Sequence, residues 1–195
     1  MSPARTTTLA DLAAPRASAL VHVILVVAAS LLTAAAAQLE LRLPWTPVPV
    51  TGQTFAVLLT GAVLGARRAF LAQCLYLTQG AAGLPFFSGG AAGVAHLFGP
   101  TGGYLVAFPF AAVVTGLLAE RGWDRRPLTM FAAMLLGSSV IFSLGLAQLS
   151  AFVPKGALLA SGLWPFVPGD LVKSALAAGA FPALWKLAAR AEGRA

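Results

Sequence analysis

The sequence predicts an all-α integral membrane protein: six transmembrane helices with a structured, Gly/Pro-rich outer face. Three observations predict it: a composition too apolar for a water-coated globule, apolar runs of bilayer-crossing length, and positive charge that alternates between successive connections. Of the 195 residues, 58% belong to the hydrophobic types and only 10% are charged, against ~25% charged in an ordinary soluble domain. Such a chain cannot cover itself with polar surface. A soluble enzyme, a nucleic-acid reader and a disordered scaffold are therefore excluded, and the net charge of +7 is not a nucleic-acid footprint because its 13 Lys and Arg form no continuous stripe.

The first apolar run, near 17–37, is long enough to cross a bilayer as a helix. Its basic approach and the small residues Thr33 to Ala37 also resemble a cleavable signal segment, but the run exceeds the ~7–15 residues usual there. Within it Ala29, Thr33 and Ala37 recur every four residues. Such a stripe of small side chains lets another helix come close, either inside the protein or as the docking face for a separate membrane partner. The runs near 51–66 and 67–82 are short and share Gly65-Ala66-Arg67-Arg68 as their divider, which predicts a helical hairpin or, alternatively, one bent segment. Runs near 103–119, 128–152 and 170–188 complete the six in a single membrane domain of residues 1–195, with 1–16 as a cytoplasmic N-terminal segment.

Orientation follows from the positive charges, because cytoplasmic connections retain excess Lys and Arg. With the N-terminus inside, the inner segments hold Arg5, Arg16, Arg67, Arg68, Arg121, Arg125, Arg126, Lys186, Arg190 and Arg194, and the outer ones only Arg42 and Lys155. Both termini are thus expected in the cytoplasm. Trp123 and Trp185 then fall near the inner interface and Trp45 and Trp164 near the outer one, as amphipathic indoles should. The outer connections 38–50, 80–103 and 153–169 carry eight of the 13 prolines. Segments this long, glycine-rich and apolar are expected to fold back as capping structure over a cavity.

Chemistry concentrates where the last run begins, at Pro168-Gly169-Asp170-Leu171-Val172-Lys173. Three residues apart on a helix, Asp170 and Lys173 share a face. Asp170 capping the helix while Lys173 reaches outward is one reading. The other is that both face inward and bind a polar solute, the default for ionisable residues within a span. A carboxylate accepts from N–H groups and an ammonium donates to a carbonyl, so a cyclic urea or amide would use both. Glycines of 83–93 and 99–103 let backbone approach a ligand, and Tyr104 offers a ring face, although tight turns and close helix packing would use the same glycines. No Gly-Lys pair occurs anywhere, so there is no P-loop. His22, His96 and Cys74 have no metal-ligand spacing, and Ser88 has no base placed beside it for hydrolysis.

Taken together, Pro44-Trp45-Thr46-Pro47-Val48-Pro49-Val50-Thr51-Gly52-Gln53-Thr54, the run Gly83-Leu84-Pro85 to Gly89-Gly90, the block Gly99-Pro100-Thr101-Gly102-Gly103-Tyr104 and the Pro168 to Lys173 segment resemble the BioY family. These are the biotin-binding membrane subunits, or S components, of energy-coupling factor transporters. The resemblance spans residues 20–188, with the four motifs in order and at matching spacing. It implies a subunit of the cell membrane that is not an enzyme, needs no cofactor and captures biotin from outside. Its implied partners are the lipid bilayer, a transmembrane coupling protein and cytoplasmic ABC-type ATPases on other chains. Asp170 and Lys173 are then the pair that recognises the biotin head group, with Gln53, Phe87, Gly89, Gly90, Ala91 and Tyr104 completing the ligand site and Ala29, Thr33 and Ala37 the docking face. Some relatives have asparagine where this chain has Ala91, and arginine where it has Leu105, so two polar contacts are lost, for which a backbone group, water or Gln53 could substitute. The alternatives are an S component for another vitamin and an intramembrane enzyme.

Overall fold

The computed structural model describes residues 8–15 and 17–191, without the side chains of 189–191. Arg5, Arg16 and Arg194 of the charge pattern lie outside the described residues, as does the side chain of Arg190. Among the described residues the chain forms α1 (Leu9–Ala13), α2 (Ala19–Ala37), α3 (Gln53–Leu64), α4 (Ala66–Ala81), α5 (Gly102–Ala119), α6 (Pro127–Leu149), α7 (Leu158–Gly162) and α8 (Val167–Ala191). Between α2 and α3 the antiparallel strands β1 (Glu40–Leu41) and β2 (Val50–Thr51) pair with Glu40 opposite Thr51. Among the described residues this small ribbon is the only β-structure. By length and composition α2, α5 and α6 can cross a membrane, and α3 is a shorter apolar helix.

Gly65 decides the shape of the α3–α4 pair. Its φ of +79° is a left-handed value that glycine adopts without steric cost, so one residue suffices to break the helix and reverse it. Gln53, near the start of α3, donates its side-chain amide to the hydroxyl of Tyr76, near the end of α4. The two helices therefore lie alongside each other as a hairpin, not as one bent segment. Glu120, at the end of α5, accepts from the Ala66 amide at 2.9 Å and so satisfies an otherwise orphaned donor at the α4 N-terminus.

Helix α5 is the centre of the bundle: 67% of its apolar window is buried, against 22% for α2. It packs on α3, α4 and α6 through Ala107, Phe108, Ala111 and Ala112, all at most 2% exposed. Between apolar helices in lipid there is little hydrophobic drive, so close packing and hydrogen bonds must hold the bundle. Gly61 shows how close: a Cβ built there would lie 2.5 Å from the Ala112 carbonyl oxygen. Large apolar side chains on the periphery, such as Leu20, Val23, Ile24, Leu136 and Leu176, remain exposed, as a lipid-facing surface requires.

The stripe Ala29, Thr33 and Ala37 turns inward. Thr33 and Ala37 are fully buried and Ala29 nearly so, and the Thr33 hydroxyl accepts from the Gln73 amide of α4 at 3.2 Å. Of the two roles open to these residues, this burial fits the internal one: they let α2 approach α4.

The helices run between two ends. At the end here termed inner, Arg68 donates to the Leu64 carbonyl at 2.7 Å, to the Thr8 hydroxyl at 3.1 Å and to Asp11 at 2.7 Å, fastening α1 to the hairpin turn. Thr8 and Asp11 form a reciprocal capping box on α1. Burial works to raise the Asp11 carboxyl, but the bonds from Thr8 and Arg68 outweigh it and hold it below the ordinary value. In the α5–α6 connection Asp124 is fully buried and accepts from the Trp185 indole of α8 at 2.6 Å, while the Arg125 guanidinium lies over the same ring. Burial pushes the Asp124 carboxyl up, against the opposing pull of Trp185 and Arg125.

Candidate functional site

The opposite, outer end is assembled from the three long connections, and each is tied down. Gln38 donates to the Phe87 carbonyl at 3.3 Å, and Gln148 of α6 donates to the carbonyls of Leu97 at 3.0 Å and Gly99 at 2.8 Å. Thr46 donates to the Ser161 carbonyl at 2.6 Å, and the Tyr104 hydroxyl to that of Gly162 at 2.8 Å. Segment 82–101 thus folds down over the bundle instead of extending into solvent. Phe87, at 0% exposure, anchors it by packing edge-on to Tyr76 and stacking on the His96 ring at 5.1 Å.

Beneath this cover lies a narrow chamber, with about 600 Å³ between its walls. Asp170 and Lys173 of α8, Gln53 and Thr54 of α3, Thr51 of β2 and Tyr104 and Phe108 of α5 all line it. Phe142 and Phe166 add aromatic surface next to Tyr104. Helix α8 begins earlier than the turn-like Pro168-Gly169 suggests, at Val167. Pro168 sits in the first turn, where its missing N–H costs nothing. Asp170 is consequently a helical residue, 7% exposed, with the Ser138 hydroxyl of α6 beside its carboxyl.

The charged pair does not close on itself. Among the described residues no ion pair joins Asp170 to Lys173; the ammonium donates instead to the Thr51 carbonyl at 2.9 Å and to the Thr54 hydroxyl at 3.2 Å. Two of its three protons are engaged by protein, which leaves one donor for a solute. Neither the capping role for Asp170 nor the outward-reaching role for Lys173 describes what the two side chains do, since both line the chamber.

A second, roomier cavity, with about 760 Å³ between its walls, adjoins the first and shares Pro49, Ser88, His96 and Thr101 with it. Its own walls include Arg42, Leu43, Thr46, Pro47, Gly89 and Ala91. Of the residues singled out from sequence, Asp170, Lys173, Gln53 and Tyr104 meet in the chamber, Gly89 and Ala91 line this vestibule, Phe87 stands behind as packing and Gly90 lines neither. Sequence reasoning missed Thr51, Thr54, Ser138, His96 and Arg42. Partial burial holds the His96 imidazole below its ordinary value, and the ring bonds the Thr101 hydroxyl at 3.3 Å. That contact, made at short range across a glycine-rich turn, carries no spacing signature.

Residues 7–190 match the model of the BioY family. The chain is 40% identical over 146 residues to the probable biotin transporter BioY of Pyrococcus horikoshii, covering 75% of this chain and 85% of that one. It is 38% identical over 146 residues to the biotin transporter BioY of Rhizobium etli, covering 71% and 78%. Among solved structures, the S-component for biotin from an ECF-type ABC transporter matches with a TM-score of 0.72 over 85% of this chain and 90% of that one, at 24% identity, a likeness of fold.

Proposed function

The chain belongs to the BioY family, and from that premise we propose that it is the biotin-capturing S component of an energy-coupling factor transporter. It crosses the cell membrane six times with both termini in the cytoplasm. The alternation of Arg and Lys between connections supports this, as does the run of α2, α3, α4, α5, α6 and α8 between the two ends. Helices α3 and α4 have 12 and 16 residues, or about 18 and 24 Å at ~1.5 Å per residue, short of a hydrocarbon core of ~30 Å. The ribbon and segment 82–101, which cap their outer ends, make up the thickness.

The observation that carries the reading is that Asp170 and Lys173 open into one covered chamber without closing into an ion pair. The Asp170 carboxylate accepts from a urea N–H, and the remaining Lys173 proton meets the urea carbonyl. Each charge-assisted bond in a site screened from water contributes ~1.5–3 kcal/mol. Tyr104, its hydroxyl already spent on Gly162, presents only its ring, and with Phe108, Phe142 and Phe166 it receives the apolar part of the ligand. With no nucleotide-binding loop in the chain, energy for uphill release comes from a membrane coupling protein and ATPases on other chains.

Equilibrium binding of a vitamin panel to the purified full chain tests this. Biotin should be retained in preference to every other vitamin and recovered unchanged. Preference for another vitamin, or conversion of the ligand, overturns it.

A further inference from the structure

Biotin carries, besides its urea ring, an aliphatic tail ending in a carboxylate, and the chamber has nothing set aside for that anion. Asp170 and Lys173 balance one another there, Lys173 is already engaged twice, and Leu105 supplies no polar group. The adjoining vestibule differs. Its apolar walls, Leu43, Pro47 and Pro49, suit methylenes, and it continues from the chamber across Ser88, His96 and Thr101. Among the described residues that line the vestibule, Arg42 is the cation; Glu40 beside it takes one edge of the guanidinium, and the remaining edges are the donors a carboxylate would meet.

The placement of Arg42 is built. Its Nε donates to Glu40 Oε1 at 2.8 Å, which fixes one edge of the guanidinium and leaves the others. Its Nη2 packs over Gly89, where a Cβ of any other residue would collide with it, and Gly89 holds a φ of +66°. A planar guanidinium can serve two carboxylates from different edges, which a lysine cannot do with the same geometry. His96 adds a ring wall whose partial burial disfavours the charged form.

We propose that Arg42 receives the carboxylate of the ligand tail in this vestibule and thereby selects the acid over its neutral analogues. The proposal rests on the S-component reading above and adds to it the residue that reads the far end of the ligand. The Arg42 side chain is 72% exposed, so its hold on an anion is open to screening and should weaken as salt is raised.

The test compares biotin with biotin amide, which has the same ring and tail but no charge, on the purified parent and on Arg42→Ala and Arg42→Lys. The parent should favour biotin over the amide. Arg42→Ala should weaken biotin about tenfold, leave the amide unchanged and so erase the preference, while Arg42→Lys should restore part of it. Equal weakening of both ligands, or unaltered biotin affinity in Arg42→Ala, overturns the proposal. A parent that binds neither ligand is a different result, because it removes the S-component reading itself before any variant is made.

Discussion

The two ends of the bundle use similar polar residues in opposite ways. At the inner end they bond each other: Arg68 with Asp11 and Thr8, Asp124 with Trp185, Glu120 with the Ala66 amide. At the outer end Asp170, Lys173 and Gln53 are fixed by neighbours yet still border open space. A polar group that closes on protein contributes to the fold, whereas one held with a donor or acceptor to spare contributes to recognition. Loop construction follows the same division. One glycine makes the inner turn between α3 and α4, while the outer connections spend many residues, all pinned through backbone carbonyls, to roof a cavity.

Substitutions should therefore separate cleanly by end. The largest effect is expected for Lys173→Ala and Asp170→Asn, each weakening biotin binding more than tenfold, or more than about 1.4 kcal/mol, with the melting temperature of the detergent-solubilised protein little changed. Parent-like binding by both variants would erase the distinction between the ends. Next comes Thr33→Leu on the α2–α4 seam. Added volume at a buried position costs about 1–3 kcal/mol, and the Gln73 amide loses an interhelical bond worth ~0.6 kcal/mol on average, so thermal stability should fall while the folded fraction binds normally. Unchanged stability with lost uptake in cells would return the stripe to a docking role.

The smallest effect concerns pH at the inner end. Asp124, raised by burial, favours the folded state while protonated. That contribution is fully present below the ordinary aspartate value of 3.8 and is lost as pH rises through the raised one. Asp11, held low, has the opposite sign: its contribution is present above the ordinary value and lost as pH falls through the lowered one. Asn at 124 keeps an oxygen for Trp185, so Asp124→Asn should flatten the slope of stability on the acid side of neutrality in melts across pH and leave the Asp11 loss at lower pH. An unaltered slope would dissociate that dependence from Asp124.

Helix positions were legible in the sequence because glycine, proline and charge break the apolar runs, and the helix ends fall within a few residues of those breaks. That Asp170 and Lys173 would share an inward-facing space was legible too, since two opposite charges in an apolar segment are costly when turned to lipid. The direction of the α2 stripe was not. Nearly every side chain of α2 is apolar, so its pattern does not distinguish a lipid-facing from a protein-facing side. The partners of Lys173 were equally hidden, because a backbone carbonyl such as that of Thr51 leaves no mark on residue type, and its place depends on a ribbon only two residues per strand.

Helix α8 touches both ends: Asp170 lies in the chamber and Trp185, fifteen positions later, in the inner latch, about 22 Å away along the axis at ~1.5 Å per residue. Pro182 falls between them and removes one rung of the backbone ladder near the latch. The chain thus carries a rod with its grip at one tip and its fastening at the other, softened just before the fastening. A tilt imposed at the chamber is delivered along this rod to the inner end of the bundle, some four helical turns away.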